Sequence, residues 1–70
     1  MISIFKTDVT SKKQKLKVIG CLVTEYPGHR ITIDLDDCDK VLRVEGNTFE
    51  EKDIITHVNE QGFACMMLLD

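Results

Sequence analysis

Two hydrophobic periods meet in this chain. Between Ile31 and Val44 the apolar residues alternate. Ile31, Ile33 and Leu35 project to one side with Arg30, Thr32 and Asp34 to the other, then Leu42 and Val44 oppose Arg43 and Glu45. Period two marks strands with one buried face, and the turn-forming run Asp36-Asp37-Cys38-Asp39 between them makes the segment a β-hairpin. On both sides of the hairpin the spacing lengthens to that of helices. A hairpin with one apolar face needs a layer to cover it, and in 70 residues only those helices are available.

The remaining elements follow from caps and breakers. Ile2–Lys6 is short and β-prone. Ser11 is placed to cap a helix, with Gln14 three residues on to close a capping box. Leu16, Ile19, Val23 and Tyr26 fall on one stripe of that helix, with Leu22 beside it, and Pro27-Gly28 ends it. Gly46-Asn47-Thr48 breaks the hairpin, and Thr48 with Glu51 offers a second capping box. Ile54, Ile55 and Val58 mark the second helical face, Gly62 stops it, and the apolar run Ala64–Leu69 reads as a last strand. The order β-α-β-β-α-β predicts an α+β, ferredoxin-like sandwich over residues 1–70: a four-stranded antiparallel sheet with both helices on one face.

Composition narrows the function. No run approaches the roughly 20 apolar residues that span a bilayer, and the opening residues carry no secretory signal pattern, so no membrane role is expected. Cys21, Cys38 and Cys65 are odd in number and widely spaced, which points to free thiols in a reducing, cytoplasmic setting. The net charge of −3 divides unevenly: residues 1–33 hold six cations and two acids, residues 34–70 three cations and ten acids. An acidic chain without a basic-aromatic stripe is a poor nucleic-acid binder. No Cys-His or Ser-His catalytic motif is present, and a chain this short encloses no substrate, so no enzyme and no cofactor are expected.

Several segments together resemble the heavy-metal-associated domain of copper chaperones and metal-pumping ATPases. They are the strand-loop-helix opening, Pro27-Gly28 before Ile31-Thr32-Ile33-Asp34-Leu35, Val41-Leu42-Arg43-Val44-Glu45-Gly46 before the second helix, and Glu60-Gln61-Gly62-Phe63 before the last strand. The resemblance implies the same fold and, in that family, a metal site in M-x-C-x-x-C. Here the corresponding stretch is Val9-Thr10-Ser11-Lys12-Lys13-Gln14, with Val9 for the Met and Ser11 and Gln14 for the two Cys. A hydroxyl and a carboxamide are poor ligands for Cu(I) or Zn(II), and two adjacent lysines repel a cation. The family's metal ligands therefore do not carry over.

Three functional readings remain open. The first is a protein-interaction module. The helices cover only one face, so some of Phe5, Val41, Cys65, Met67 and Leu69 are expected on the open face or edge, where they could mediate a homodimer. The second is a metal-binding or transport protein with a non-standard site drawn from Cys65, Met66, Met67 or the other cysteines; Asp36, Asp37 and Asp39 offer at most a weak surface Ca²⁺ or Mg²⁺ contact. The third is an anion-responsive regulatory domain reading its ligand at Thr10, Ser11, Lys12 and Lys13, a helix N-terminus without a Gly-rich loop. His29 and His57 read as surface histidines.

Overall fold

The computed structural model describes residues 1–68. Its elements are β1 (Ile2–Thr7), α1 (Lys12–Glu25), β2 (Arg30–Asp34), β3 (Val41–Glu45), α2 (Glu51–Glu60) and β4 (Cys65–Met67). The strands form one antiparallel sheet in the order β2-β3-β1-β4, and α1 packs against β2 while α2 packs against β4. This is the ferredoxin-like βαββαβ arrangement expected from the alternation of periods.

Register decides which residues each layer receives. On β1, Ser3, Phe5 and Thr7 are buried under the helices. Phe5 stands opposite Leu42 on β3 and opposite Met67 on β4. Phe5 is therefore core, fully shielded from solvent, and not the open-face residue expected of it. Cys65 and Met67 share its side and pack against the same core. Strand side chains alternate, so Ile2, Ile4, Lys6 and Met66 project from the other face. Leu68, whose N–H donates to the Ile4 carbonyl at 3.0 Å, continues that row. Val41 is on the open face as expected, and Leu69 lies outside the described residues.

Helix α1 departs from its expected orientation. Val18 and Leu22 point into the core, while Leu16 and Val23 are exposed. Its stripe of Leu16, Ile19, Val23 and Tyr26 is thus rotated to the flank, leaving only Ile19 and Tyr26 packed partly on the core. The start follows expectation: Ser11 accepts from the Gln14 N–H at 3.1 Å. At the other end Tyr26 caps the helix through Leu22, and Gly28 takes φ +84°, a conformation that costs a residue with a Cβ.

The second capping box does not form. Glu50 occupies the N-cap of α2 and makes no side-chain cap bond. Glu51, expected to reach back to Thr48, instead accepts the hydroxyl of Ser3. Ser3 is buried on β1 and needs a partner for its hydroxyl, so a tertiary contact outcompetes a local one. Glu51 and Asp53 still favour the positive end of the helix. Gly62, at φ +95°, lets Phe63 N–H return to the Val58 carbonyl and close the helix in a Schellman turn. The last strand is shorter than its apolar run, covering Cys65–Met67 of Ala64–Leu69.

Candidate functional site

Four places in the fold gather chemistry-bearing side chains. At the N-terminus of α1, Thr10, Ser11, Lys12 and Lys13 are all exposed. The Gln14 side-chain Oε1 accepts from the Thr10 N–H at 2.9 Å and from its hydroxyl at 3.1 Å, while Ser11 Oγ accepts from the Gln14 N–H. Ser11 thus caps the helix through Gln14, while the Gln14 side chain reaches back to Thr10 rather than to Ser11, so the expected capping box closes one residue early. Val9, at the Met position, is fully buried. Thr7 fixes the loop from below: its N–H donates to the Asp39 carbonyl and its hydroxyl to the Lys40 carbonyl. The Thr10 hydroxyl and N–H and the Gln14 N–H are committed to capping, and Lys12 and Lys13 are exposed beside them.

In the hairpin turn, Asp37, Cys38 and Asp39 bring one ligand atom each within 4.8 Å of the others. The turn is held by the Asp39 N–H donating to Asp37 Oδ1 at 2.8 Å, with Lys40 at φ +47° completing it. Lys6 approaches Asp39 at 3.6 Å. Asp36 does not join this group. The Cys38 thiol lies inside it, between the two acids that flank it in sequence.

The other cysteines stand apart. Cys21 is exposed on α1 and Cys65 is half-buried against the core. Burial pushes the Cys65 thiol up to about 11, which keeps it protonated and a poor metal ligand or nucleophile. Met66 and Met67, its sequence neighbours, face opposite sides of the sheet, so the sulfur atoms of this strand do not converge.

The histidines are not simple surface residues. Both are half-buried, and Tyr26 sits between them, its ring 5.8 Å from His29 and 5.7 Å from His57, edge to face in each case. His29 continues the chain of rings to Phe49 at 5.7 Å. Sequence separation hid this cluster; an aromatic just before a helix-ending Pro-Gly and a His just after it are the signal that could have suggested it. Desolvation, then the carboxylates of Asp53 and Glu25, raise the Tyr26 phenol above its ordinary range. Beside this cluster an open groove of about 520 Å³ runs between α1 and α2, with Cys21, Thr24, His57 and Gln61 among its walls.

The fourth place is the open face of the sheet. Its β2–β3 half is mainly polar, with Arg30, Thr32 and Asp34 on one strand, Arg43 and Glu45 on the next, and Val41 opposite Asp34. Its β1–β4 half carries the apolar residues Ile2 and Ile4 with Met66 and Leu68 alongside, and Lys6 opposite Met66 at one end. Ile2 is 51% exposed, Met66 59% and the adjoining Met1 54%. Singly exposed apolar residues are ordinary, whereas this strip lies on the face of the sheet that the two helices leave uncovered. Among the described residues no helix is long and apolar enough to cross a membrane. No family model, curated protein or solved structure matches this chain.

Proposed function

We propose that this chain is a non-catalytic protein-interaction module, built on a scaffold resembling the heavy-metal-associated domain without its metal motif. The strip of Ile2, Ile4, Met66 and Leu68 on the uncovered half of the sheet supports this reading. Such a strip gains free energy when another apolar surface displaces its water, about 25 cal/mol for each Å² covered. The polar β2–β3 half beside it would orient the partner through charge pairs and solvent-exposed hydrogen bonds. Three free thiols suit a reducing compartment such as the cytoplasm.

A photo-crosslinking residue placed at Ile2 tests the reading in cells, with one at exposed Thr56 on α2 as the control. Discrete adducts from position 2, absent from position 56 and lost in the Met66→Lys background, are the expected result. Equal labelling from both positions, or none from position 2, overturns the assignment. Met66→Lys places its charge in solvent and leaves the fold intact. Met67→Lys, by contrast, drives a charge against the Phe5 core and unfolds the chain.

A further inference from the structure

We propose that two copies of this chain pair along their β2 edges, antiparallel about a two-fold axis at Thr32, with their α1 helices packing side by side. Strand β2 ends the sheet, and among the described residues no strand covers its outer edge. Its sequence is Arg30-Ile31-Thr32-Ile33-Asp34. Folded back on a second copy about Thr32, Arg30 falls opposite Asp34 of that copy, Ile31 opposite Ile33, and Thr32 opposite Thr32. Each half of the strand is thus the complement of the other half. A two-fold interface requires this self-complementarity, because one patch must serve both sides. Opposed charges, β-branched pairs and a Thr–Thr pair are also the favourable cross-strand combinations.

The helix layer supports the same geometry from an independent direction. Ile19 and Val23 each lie two residues from Cys21, about 200° around the helix. Cys21 lines the groove facing α2, so Ile19 and Val23 lie on the flank turned away from α2, above the β2 edge. On this flank Ile19 is half-buried against the core and Val23 is 43% exposed. With strands about 4.8 Å apart and two helices about 10 Å apart centred over four strands, the two α1 axes come to about 9 Å from each other. That is a normal helix-packing distance. The pairing would continue the sheet to eight strands and the helix layer to four helices.

The pairing also has a consequence for the open face. A two-fold axis normal to the sheet leaves both apolar strips on the same side, at its two outer ends. From β1 of one copy to β1 of the other is five strand spacings, about 24 Å. The dimer does not depend on the interaction-module reading, since the β2 edge lies on the opposite side of the sheet from Ile2, Ile4 and Met66. Where both hold, the module is bivalent.

Sedimentation velocity on reduced protein over a range of concentrations tests the pairing. The unmodified chain is expected to form dimers. Arg30→Asp and Asp34→Arg should each raise the dissociation constant tenfold or more, because each sets like charges opposite one another twice. An equimolar mixture of the two variants should dimerise again, since every cross-strand pair is then opposite in sign. Both residues are exposed, and amide spectra verify the fold. Val23→Asp, on a different element, should weaken the dimer in the same direction. A chain monomeric up to about 1 mM, or a mixture that stays monomeric, overturns the proposal. So does a dimer dissolved by Ile4→Lys but indifferent to the charge variants, which would place the contact on the open face. A negative result here leaves crosslinking from Ile2 unaffected, so the two readings fail separately.

Discussion

His29 lies so close to the backbone of Gly46 that a Cβ at position 46 would sit 2.4 Å from the imidazole Cδ2. The glycine is required there for space rather than for backbone conformation, because Gly46 is not among the positive-φ glycines. His29 is held in turn by the aromatic contacts to Tyr26 and Phe49, and its Nδ1 lies 3.3 Å from the Pro27 carbonyl. The contact ties the end of β3 to the turn that follows α1.

Gly46→Ala is expected to destabilise the fold by about 1–3 kcal/mol, the usual cost of forcing extra volume into a packed site. Urea unfolding of Gly46→Ala, His29→Ala and the double variant measures it. The double variant should recover part of the loss, since residues in contact are non-additive. Additive losses would mean that the imidazole is not what the new methyl meets.

Cys65 makes stability depend on alkaline pH. Its thiol ionises near 9.0 when unperturbed and is raised to about 11 by burial in the fold. Below pH 9 both states are protonated and the fold has its full stability. Between the two values the unfolded chain releases its proton while the folded chain retains it, so stability falls as pH rises. Tm measured across that window should decline, and Cys65→Ala should remove the part of the decline due to this thiol. In the same experiment at pH 8, iodoacetamide should label exposed Cys21 and Cys38 well before Cys65. Rapid labelling of Cys65 would contradict its burial.

Ser11→Ala removes the bond to the Gln14 N–H and is expected to cost about 1 kcal/mol, lowering Tm by about 4–8 °C for a domain of this size. Ser11→Asp should recover most of that loss, because a carboxylate also caps and favours the helix dipole. Thermal unfolding in phosphate and in chloride at equal ionic strength separates capping from anion binding. A phosphate-specific rise in Tm that Ser11→Ala abolishes would restore an anion site at this helix start.

The difference between Phe5 and Ile4 shows where sequence reading stopped. The run Ala64–Leu69 reads as apolar on both sides, and Met1–Phe5, interrupted by Ser3, nearly so. With no alternation, parity is undefined, and a shift of one residue exchanges the two faces. The register with Leu42 and Met67 turned Phe5 inward and left Ile4 outward. A similar ambiguity affected α1, where Leu16, Ile19, Val23 and Tyr26 compete with Val18 and Leu22 for the core. The helix can bury only one arc. The contiguous strip on the open face and the spare flank of α1 are the two remainders of these choices.

What the chain determined locally was the order of its elements and several of their ends. The strict alternation of Ile31–Val44, the cap at Ser11 and the stops at Pro27-Gly28 and Gly62 act between residues close in sequence, so their physics is legible there. Tertiary structure decided which side each ambiguous element turned inward, that Glu51 left Thr48 for the buried hydroxyl of Ser3, and that Tyr26 joined His29 to His57. Those outcomes are competitions for a limited buried volume and for unsatisfied polar groups. They are resolved only when residues far apart in sequence come into contact.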